Sequence, residues 1–458
     1  MPMDWHQLLR TDRLRDGGTP PIPFDRNPFA IDQDRIVFSQ PFRRLQAKTQ
    51  VHPLVENDHV RTRLTHSIEV GSVGQTLGSM VGDELIARHK IRKLPGTKFN
   101  VTKEDFGLLV QAACLAHDIG NPPFGHSGEE VFREWYEAQD SQTQLLAGID
   151  KEIQKKDLLT FEGNAQGFRI LSQIENHRWD GGLRLTYATL ATFSKYPWPS
   201  YRPNPTGKKK FSYFDSERDY MEEIAAAVGL IKNGEGSWCR HPLVYLVEAA
   251  DDICYAIVDI EDGLAMGTLS KKDYKEIFRD FLSDWDKEAE YLQLEDDGQR
   301  ISFLRCEAIT KLVTQTGKAF LDAEEALMNG EFVKDGIISK APAFDFLAKA
   351  KELGRDKIYN HEKKVFAEIS GYEVIGGLLR DFVDATLSKK KGKLKTRRLL
   401  QLMGEMQPKD DWSKYETLMR VNDFISGMTD RYALGLYRQL RGISLPGFTP
   451  ALKSHLGG

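Results

Sequence analysis

The chain has 458 residues, of which 40% are hydrophobic, 28% charged and 10% aromatic, ample apolar material for a core and a composition that excludes a disordered, collagen-like or fibrous polypeptide. At roughly 150 residues per domain the length suggests about three domains, although one large helical core wrapped around a site fits equally well. With 63 Lys and Arg against 67 Asp and Glu the net charge is −4, so no global basic field drives the molecule onto nucleic acid or membrane, and any polyanion site must be local.

The N-terminal stretch Met1-Pro-Met-Asp-Trp-His-Gln-Leu-Leu-Arg10 has no uninterrupted apolar segment, and no window approaches the ~18 apolar residues of a membrane span. The expectation is a soluble, cytoplasmic protein with no membrane partner. Helical periodicity then dominates. Thr102-Lys-Glu-Asp105 reads as a capping-box-like start, followed by Phe106, Leu109, Ala112, Ala113 and Ala116 at the spacing of a buried helix, which must stop at Gly120-Asn-Pro-Pro123. Between Tyr196 and Lys210, four prolines and a glycine exclude a helix and predict a surface loop. A further helix starts at Pro242 and runs through Leu246, Ala250, Ile253, Ile257 and Ile260 to Gly263, with an apolar face wide enough for a central position. Past Ser388, seven of the next ten residues are basic, a solvated loop or an anion-binding patch. Cys114, Cys239, Cys254 and Cys306 show no CxxC spacing and read as reduced core thiols. The expected fold is all-α, with helices near 60–81, 103–118, 126–139, 162–177, 242–262 and 415–440.

Histidines are scarce, 11 in the chain, which gives weight to Cys114-Leu-Ala-His117-Asp118-Ile-Gly-Asn121-Pro-Pro-Phe-Gly-His126-Ser-Gly-Glu129. His117 and Asp118 diverge by about 100° on a helix, yet at its last turn both can reach one cation beyond the end. Alone, the pair is weak evidence and fits a capped helix end with a satisfied histidine better. Upstream, Arg63 and His66 share a helix face. Downstream, Asp251, Tyr255, Asp259 and Asp262 form a polar stripe along an apolar helix; buried carboxylates need cations or a polar ligand beside them, unless the stripe faces solvent.

His66, His117-Asp118 51 residues on, and Asp251 a further 133 on follow the H…HD…D order of the HD metal-dependent phosphohydrolases. More closely, Gln40-Pro-Phe-Arg-Arg-Leu-Gln46-Ala-Lys-Thr-Gln50, Arg63-Leu-Thr-His66-Ser, His117-Asp-Ile-Gly-Asn-Pro-Pro-Phe-Gly-His126, Phe161-Glu-Gly-Asn164, Lys195-Tyr-Pro-Trp198, Ala250-Asp-Asp-Ile253 and Gly427-Met-Thr-Asp430 resemble the bacterial deoxyguanosine triphosphate triphosphohydrolases, over residues 10–440. The resemblance implies an HD-domain helical fold with an extended helical C-terminal part: an N-terminal arm and pocket segment over 1–60, the catalytic HD domain over 61–270, and a helical region over 271–458 packed on it.

It also implies hydrolysis of deoxynucleoside triphosphates, with dGTP the expected base, to deoxynucleoside and tripolyphosphate by water attack at the α-phosphate. His66, His117, Asp118 and Asp251 would hold a divalent metal ion, and their mixed nitrogen and oxygen donors suit Mn²⁺, Mg²⁺, Fe²⁺ or Co²⁺ without cysteine. Asp251 is preferred to Asp252 because it shares a face with Tyr255. His126, oriented by Glu129, matches the family's acid–base pair; roles as base or nucleophile stay open. Gln46 and Asp259 would meet the sugar 3′-OH, Tyr255 would pack against C2′, and Arg63, Asn164, Lys195 and Tyr196 would meet the triphosphate. Asn121 stands where some relatives carry His, which removes a second imidazole from the α-phosphate.

Relatives form dimer-based tetramers or hexamers, some activated by a second dNTP or responsive to single-stranded DNA, so the resemblance implies a homo-oligomer with those further partners. Competing readings are a different or broad base preference, another HD nucleotide phosphohydrolase, disfavoured by the Gln46, Tyr255 and Asp259 set, and a nucleic-acid-binding protein resting on Lys208 to Lys210 and the 389–398 basic run.

Overall fold

The computed structural model describes residues 1–15, 26–50, 61–176, 180–202, 209–282, 286–354, 362–388 and 392–444. The fold is helical. The helices that build or brace the site are α1 (Pro28–Val37), α2 (Arg63–His89), α3 (Lys103–Ala116), α4 (Gly125–Thr143), α5 (Gly163–Arg169), α6 (Tyr187–Phe193), α7 (Val244–Ala265), α8 (Asp297–Met328), α9 (Phe344–Gly354), α10 (Glu362–Leu387), α11 (Lys414–Ser426) and α12 (Asp430–Leu440). Among the described residues the strands are limited to a short antiparallel pair, Lys232–Gly234 with Ser237–Trp238.

The central pair is α2 against α3, and glycine sets how close they come. Gly71, Gly74, Gly78 and Gly82 fall three to four residues apart and so line one face of α2. A methyl group at Gly74 would run into Cys114 Sγ, and one at Gly78 would sit 2.6 Å from the Phe106 carbonyl oxygen. Because Gly74 meets Cys114 while Gly82 meets Lys103, the helices run antiparallel, and the start of α2 is brought to the end of α3. Thr102 and Asp105 do form a capping box, the Asp105 carboxylate accepting from the Thr102 N–H at 2.6 Å. α7 lies across both helices, and α8 and α9 close over it.

Buried apolar side chains divide into two clusters. The first joins the N-terminal residues from Met3, helices α1 to α3, α7 and the segment from Leu269 to Ala350. The second joins α4 and the segment from Tyr196 to Phe214 with α10, α11 and α12. The region after residue 270 is therefore shared between two cores. Arg169 on α5 ties them: its guanidinium donates to both oxygens of Asp423 on α11, at 2.8 and 2.9 Å, and also meets Glu217 at 2.5 Å, with all three side chains buried.

Four expectations need correction. The helix expected over 415–440 is two, α11 and α12, because Thr429 caps the second by accepting from the Tyr432 N–H at 3.2 Å, which turns the chain. The helix expected over 162–177 is α5 continued by a π-helical turn at Ile170–Ile174. The surface loop from Tyr196 begins in the second core, with Tyr196 and Trp198 buried; residues 203–208, Lys208 among them, lie outside the described residues. Of the four cysteines only Cys114 and Cys254 are buried, Cys239 is half-buried and Cys306 is exposed, and all four are free thiols. In the basic run, residues 389–391 are outside the described residues, and Lys393, Lys395, Arg397 and Arg398 are on or beside the exposed side of the helix Leu394–Met403. Among the described residues no helix is long and apolar enough to cross a membrane.

Candidate metal centre and its surroundings

Thr62 caps α2, so Arg63 and His66 occupy its first turn, which the glycine-drawn packing presents to the end of α3. His117 is the residue that follows α3, and its ring is oriented by its own helix: Nδ1–H donates to the Cys114 carbonyl at 2.6 Å. That donation leaves Nε2 with its lone pair directed at the site, the tautomer a metal-ligating imidazole needs. From α7, Asp251 Oδ1 reaches His66 Nε2 at 3.1 Å and His117 Nε2 at 3.7 Å. One ligand atom each from His66, His117 and Asp251 lie within 4.8 Å of one another. The two rings meet edge to face, 5.4 Å between centroids.

Asp118 lies beside this group rather than inside it. Its Oδ1 is 3.6 Å from His117 Nε2 and accepts from Asn121 Nδ2 at 2.5 Å, while Oδ2 accepts from Arg63 Nη1 at 2.6 Å. Arg63, expected to meet phosphate, is thus buried against Asp118, and its first effect is to fix that carboxylate. Burial alone would raise the Asp118 carboxyl, but Arg63 and the two histidines outweigh it and hold it well below the usual carboxylate range. The same holds at Asp251, where His117, His66 and Lys195 overcome burial. Two imidazoles and two ionised carboxylates, with His117 already in the ligating tautomer, fit a hard or borderline divalent cation. His66 Nδ1 is buried without a hydrogen bond, so this ring is less firmly fixed than that of His117.

The neighbouring aspartate, Asp252, is turned away to Lys351 at 2.6 Å, which separates the two members of the Asp251-Asp252 pair. Tyr255 follows one turn along α7 and is half-buried. Asp259 is on the same helix, with its side chain outside the described residues. The last acid of the stripe, Asp262, is a structural ion-pair partner: Arg61 donates to it at 2.9 Å and to Glu69 and Glu261 at 2.9 and 2.6 Å.

His126 opens α4 with its side chain 80% exposed, and its Nδ1 is a long 3.4 Å from Glu129 Oε2. Glu129 is buried, and its other oxygen accepts from the Gly163 N–H at 3.0 Å. Asn164 is held by Glu162, whose carboxylate accepts from both its amide nitrogens, at 2.7 Å for the backbone and 3.0 Å for the side chain. Lys195 Nζ lies 3.3 Å from Glu248, which also takes Arg240 at 2.9 Å; Arg240 in turn faces the Tyr196 ring at 5.3 Å. Gln46 is exposed on the turn Leu45–Ala47.

Sequence reasoning missed three groups. Lys210, read as part of a nucleic-acid-binding run, turns inward to Glu162 at 2.5 Å and Glu129 at 3.3 Å; the apolar Phe211-Ser-Tyr-Phe214 that follows it was the available signal. Lys48 is buried, donating to the carbonyl oxygens of Asn121 and, at 2.9 Å, Ser426, and burial together with Arg44 pushes its ammonium down to about 7. Asp430 accepts from the Thr49 N–H and hydroxyl at 3.0 and 2.6 Å and from the Phe124 N–H at 3.0 Å. Together they pin the N-terminal arm, the loop after α3 and the corner between α11 and α12. Phe124 sits in the left-handed region, φ 62°, a conformation this anchoring sustains.

Residues 63–203 match the HD domain, and residues 340–439 match the phosphohydrolase-associated domain. The chain is 42% identical over 453 residues to a deoxyguanosinetriphosphate triphosphohydrolase-like protein of Pseudomonas aeruginosa, covering 97% of this chain and 100% of that one. A protein of the same description from Synechocystis is also 42% identical, over 460 residues, with the same coverage. A deoxyguanosinetriphosphate triphosphohydrolase of Klebsiella pneumoniae is 30% identical over 487 residues, covering 91% of this chain and 94% of its own.

Proposed function

Because the chain belongs to the family of deoxyguanosinetriphosphate triphosphohydrolases and triphosphohydrolase-like proteins within the HD phosphohydrolases, we propose that it hydrolyses deoxynucleoside triphosphates, dGTP foremost, to deoxynucleoside and tripolyphosphate. The observation that carries this reading is the meeting of His66, His117 and Asp251 within 4.8 Å, with Asp118 alongside. These four would hold a divalent cation, Mn²⁺ or Mg²⁺ with Fe²⁺ and Co²⁺ as further candidates, which when bound would lower the pKa of a water and offset charge on phosphate oxygens.

The remaining work falls to the chain's own side chains. Arg63 keeps Asp118 ionised and oriented, and Lys195, Asn164 and Tyr196 bind the triphosphate oxygens. The bond broken joins the α-phosphorus to the 5′-oxygen, which leaves as a poor alkoxide unless it takes a proton. His126 delivers that proton, and the Glu129 carboxylate stabilises the imidazolium form that carries it. Tyr255 packs against C2′ and excludes a ribose hydroxyl, while Gln46 and Asp259 hydrogen-bond the 3′-OH.

The test is to incubate the purified protein with each of the four dNTPs and Mn²⁺ or Mg²⁺ and to identify the phosphate product. Tripolyphosphate is expected, with dGTP consumed fastest. Pyrophosphate or orthophosphate as first product overturns attack at the α-phosphate, and equal rates for all four bases overturn the dGTP preference alone.

A further inference from the structure

We propose that Lys210 and Glu162 form a positioning pair that balances the charge of Glu129 and holds Asn164, so that one half-buried ion pair aligns both the proton-carrying dyad and a phosphate contact. The inference rests on the function proposed above. Lys210 is presented rigidly: Trp198 Nε1–H donates to its carbonyl at 2.8 Å, and the Ser212 hydroxyl two residues on accepts from the Tyr196 N–H at 2.8 Å. Its chain is thus fastened to the Lys195-Tyr-Pro-Trp198 segment that carries two other candidates for the triphosphate.

The charges around Glu129 make the pair necessary. From its own helix Glu129 faces His126, at 3.4 Å, and Arg133, at 3.5 Å. Arg133 spends its better bonds elsewhere, on the Phe161 carbonyl at 2.8 Å and on Glu130 at 2.5 Å. From the segment before α5 comes Glu162, fully buried and negative; from α2 comes Arg63, committed to Asp118; and from the segment after residue 208 comes Lys210, at 3.3 Å. Two buried carboxylates would repel if left uncompensated. Burial works against ionisation of Glu129, but His126, Lys210 and Arg133 outweigh it and hold its carboxyl below the usual range, whereas burial and the nearby Glu129 raise that of Glu162 against the pull of Lys210. An ionised Glu129 is what lets His126 carry a proton. Glu162, for its part, uses both oxygens on Asn164. Lys210 touches neither the substrate nor the metal ligands in this account; it acts through the two carboxylates.

The experiment compares wild type with Lys210→Met, Lys210→Arg, Glu162→Gln and the double variant Lys210→Met/Glu162→Gln, measuring kcat and KM for dGTP between pH 6 and 9 alongside thermal melts. Lys210→Met should lower kcat at pH 7 by roughly 10- to 100-fold, as the loss of an orienting partner does, with KM changed by less than about threefold. Lys210→Arg should recover most of the activity, and the double variant should outperform Lys210→Met because it removes the orphaned charge with its partner. A rise in KM with kcat unmoved would make Lys210 a direct phosphate ligand and overturn the proposal. Equal losses in the single and double variants, with no recovery in Lys210→Arg, would reduce the pair to packing and overturn it as well. Should Lys210→Met fail to fold, the double variant decides: activity within about tenfold of wild type supports the pair, and a loss beyond about 100-fold overturns it. Wild type that releases no tripolyphosphate overturns the function and the pair together, whereas active wild type with unaffected variants overturns the pair alone.

Discussion

His66, His117 and Asp251 sit where two helices are drawn together by glycine, whereas His126 stands 80% exposed at the start of α4, beside a buried carboxylate that Arg133 and Lys210 also meet. The first end of the site is made by folding itself: its donors come from core helices, and the ring of His117 is set by its own helix carbonyl. The second end depends on the other core and on the C-terminal helices that brace it, with a 3.4 Å contact that substrate has room to tighten. In the proposed reaction, a site divided in this way would bind its cation before substrate arrives and assemble proton delivery only around the nucleotide. The two ends should therefore fail differently when broken.

The largest expected effect is at the first end. Asp118→Asn should give a folded protein with little bound transition metal and no detectable turnover, measured by elemental analysis and product assay. Normal metal content with full activity would remove Asp118 from the site. Next comes the second end, where His126→Ala should retain metal and lose roughly 10²- to 10⁴-fold in kcat, the usual worth of one positioned proton donor. A substrate whose leaving group needs no proton, such as a p-nitrophenyl ester, should be far less sensitive to the same substitution. Equal losses on both substrates would make His126 a base, a nucleophile or a binding group.

The two ends were also unequally legible in the sequence. His66, His117-Asp118 and Asp251 stand in family order, and helical periodicity was enough to put each near the end or on the face of a core helix. Asp251 is preferred for the helix face it shares with Tyr255 and Asp259 and because the family's ligand stands four residues before that tyrosine; in the structure Asp252 turns to Lys351. What escaped was any group whose role depends on distant chain. Lys48 reads as one more lysine until the carbonyls of Asn121 and Ser426 close on it, and Lys210 reads as the end of a basic run until Glu162 and Glu129 appear behind it. The α2 glycines were visible, but their spacing speaks only when a second helix is known to lie against it. The break at Gly427 to Thr429 had a local signal in the Thr429 cap, whereas the hold of Asp430 on Thr49 and Phe124 depends on distant chain.

If glycine packing is what builds the first end, overfilling it should damage that end selectively. Gly78→Ala places a methyl group 2.6 Å from the Phe106 carbonyl, a backbone atom that cannot rotate away. Forcing such a contact typically costs about 1–3 kcal/mol, which a urea melt would register. Metal affinity should weaken with it, because the start of α2 moves relative to the end of α3, while the Glu129 surroundings in the second core stay intact. A melt and a metal affinity both equal to wild type would show that the helices have slack and that the glycines do not set the spacing.

The smallest effect concerns acid, and it reports on the fold alone. His241 lies fully buried just before α7, its Nε2–H donating to the Leu8 carbonyl at 3.1 Å and its Nδ1 accepting from the Leu243 N–H at 3.2 Å, a neutral ring with both nitrogens used. Burial pushes its imidazole down to about 4, below the ~6.5 of an exposed histidine. As pH falls below about 6.5 the unfolded chain takes up a proton that the folded chain refuses, so the stability this ring contributes is whole above that pH and drains away toward 4. Between pH 7.5 and 5.5 the loss should be about 1 kcal/mol. His241→Gln cannot titrate, so the stability gap between wild type and variant, read from urea melts, should narrow by that amount over the same interval. A gap that stays constant would mean that the folded chain takes up the His241 proton as readily as the unfolded chain does, and that burial does not hold this ring neutral.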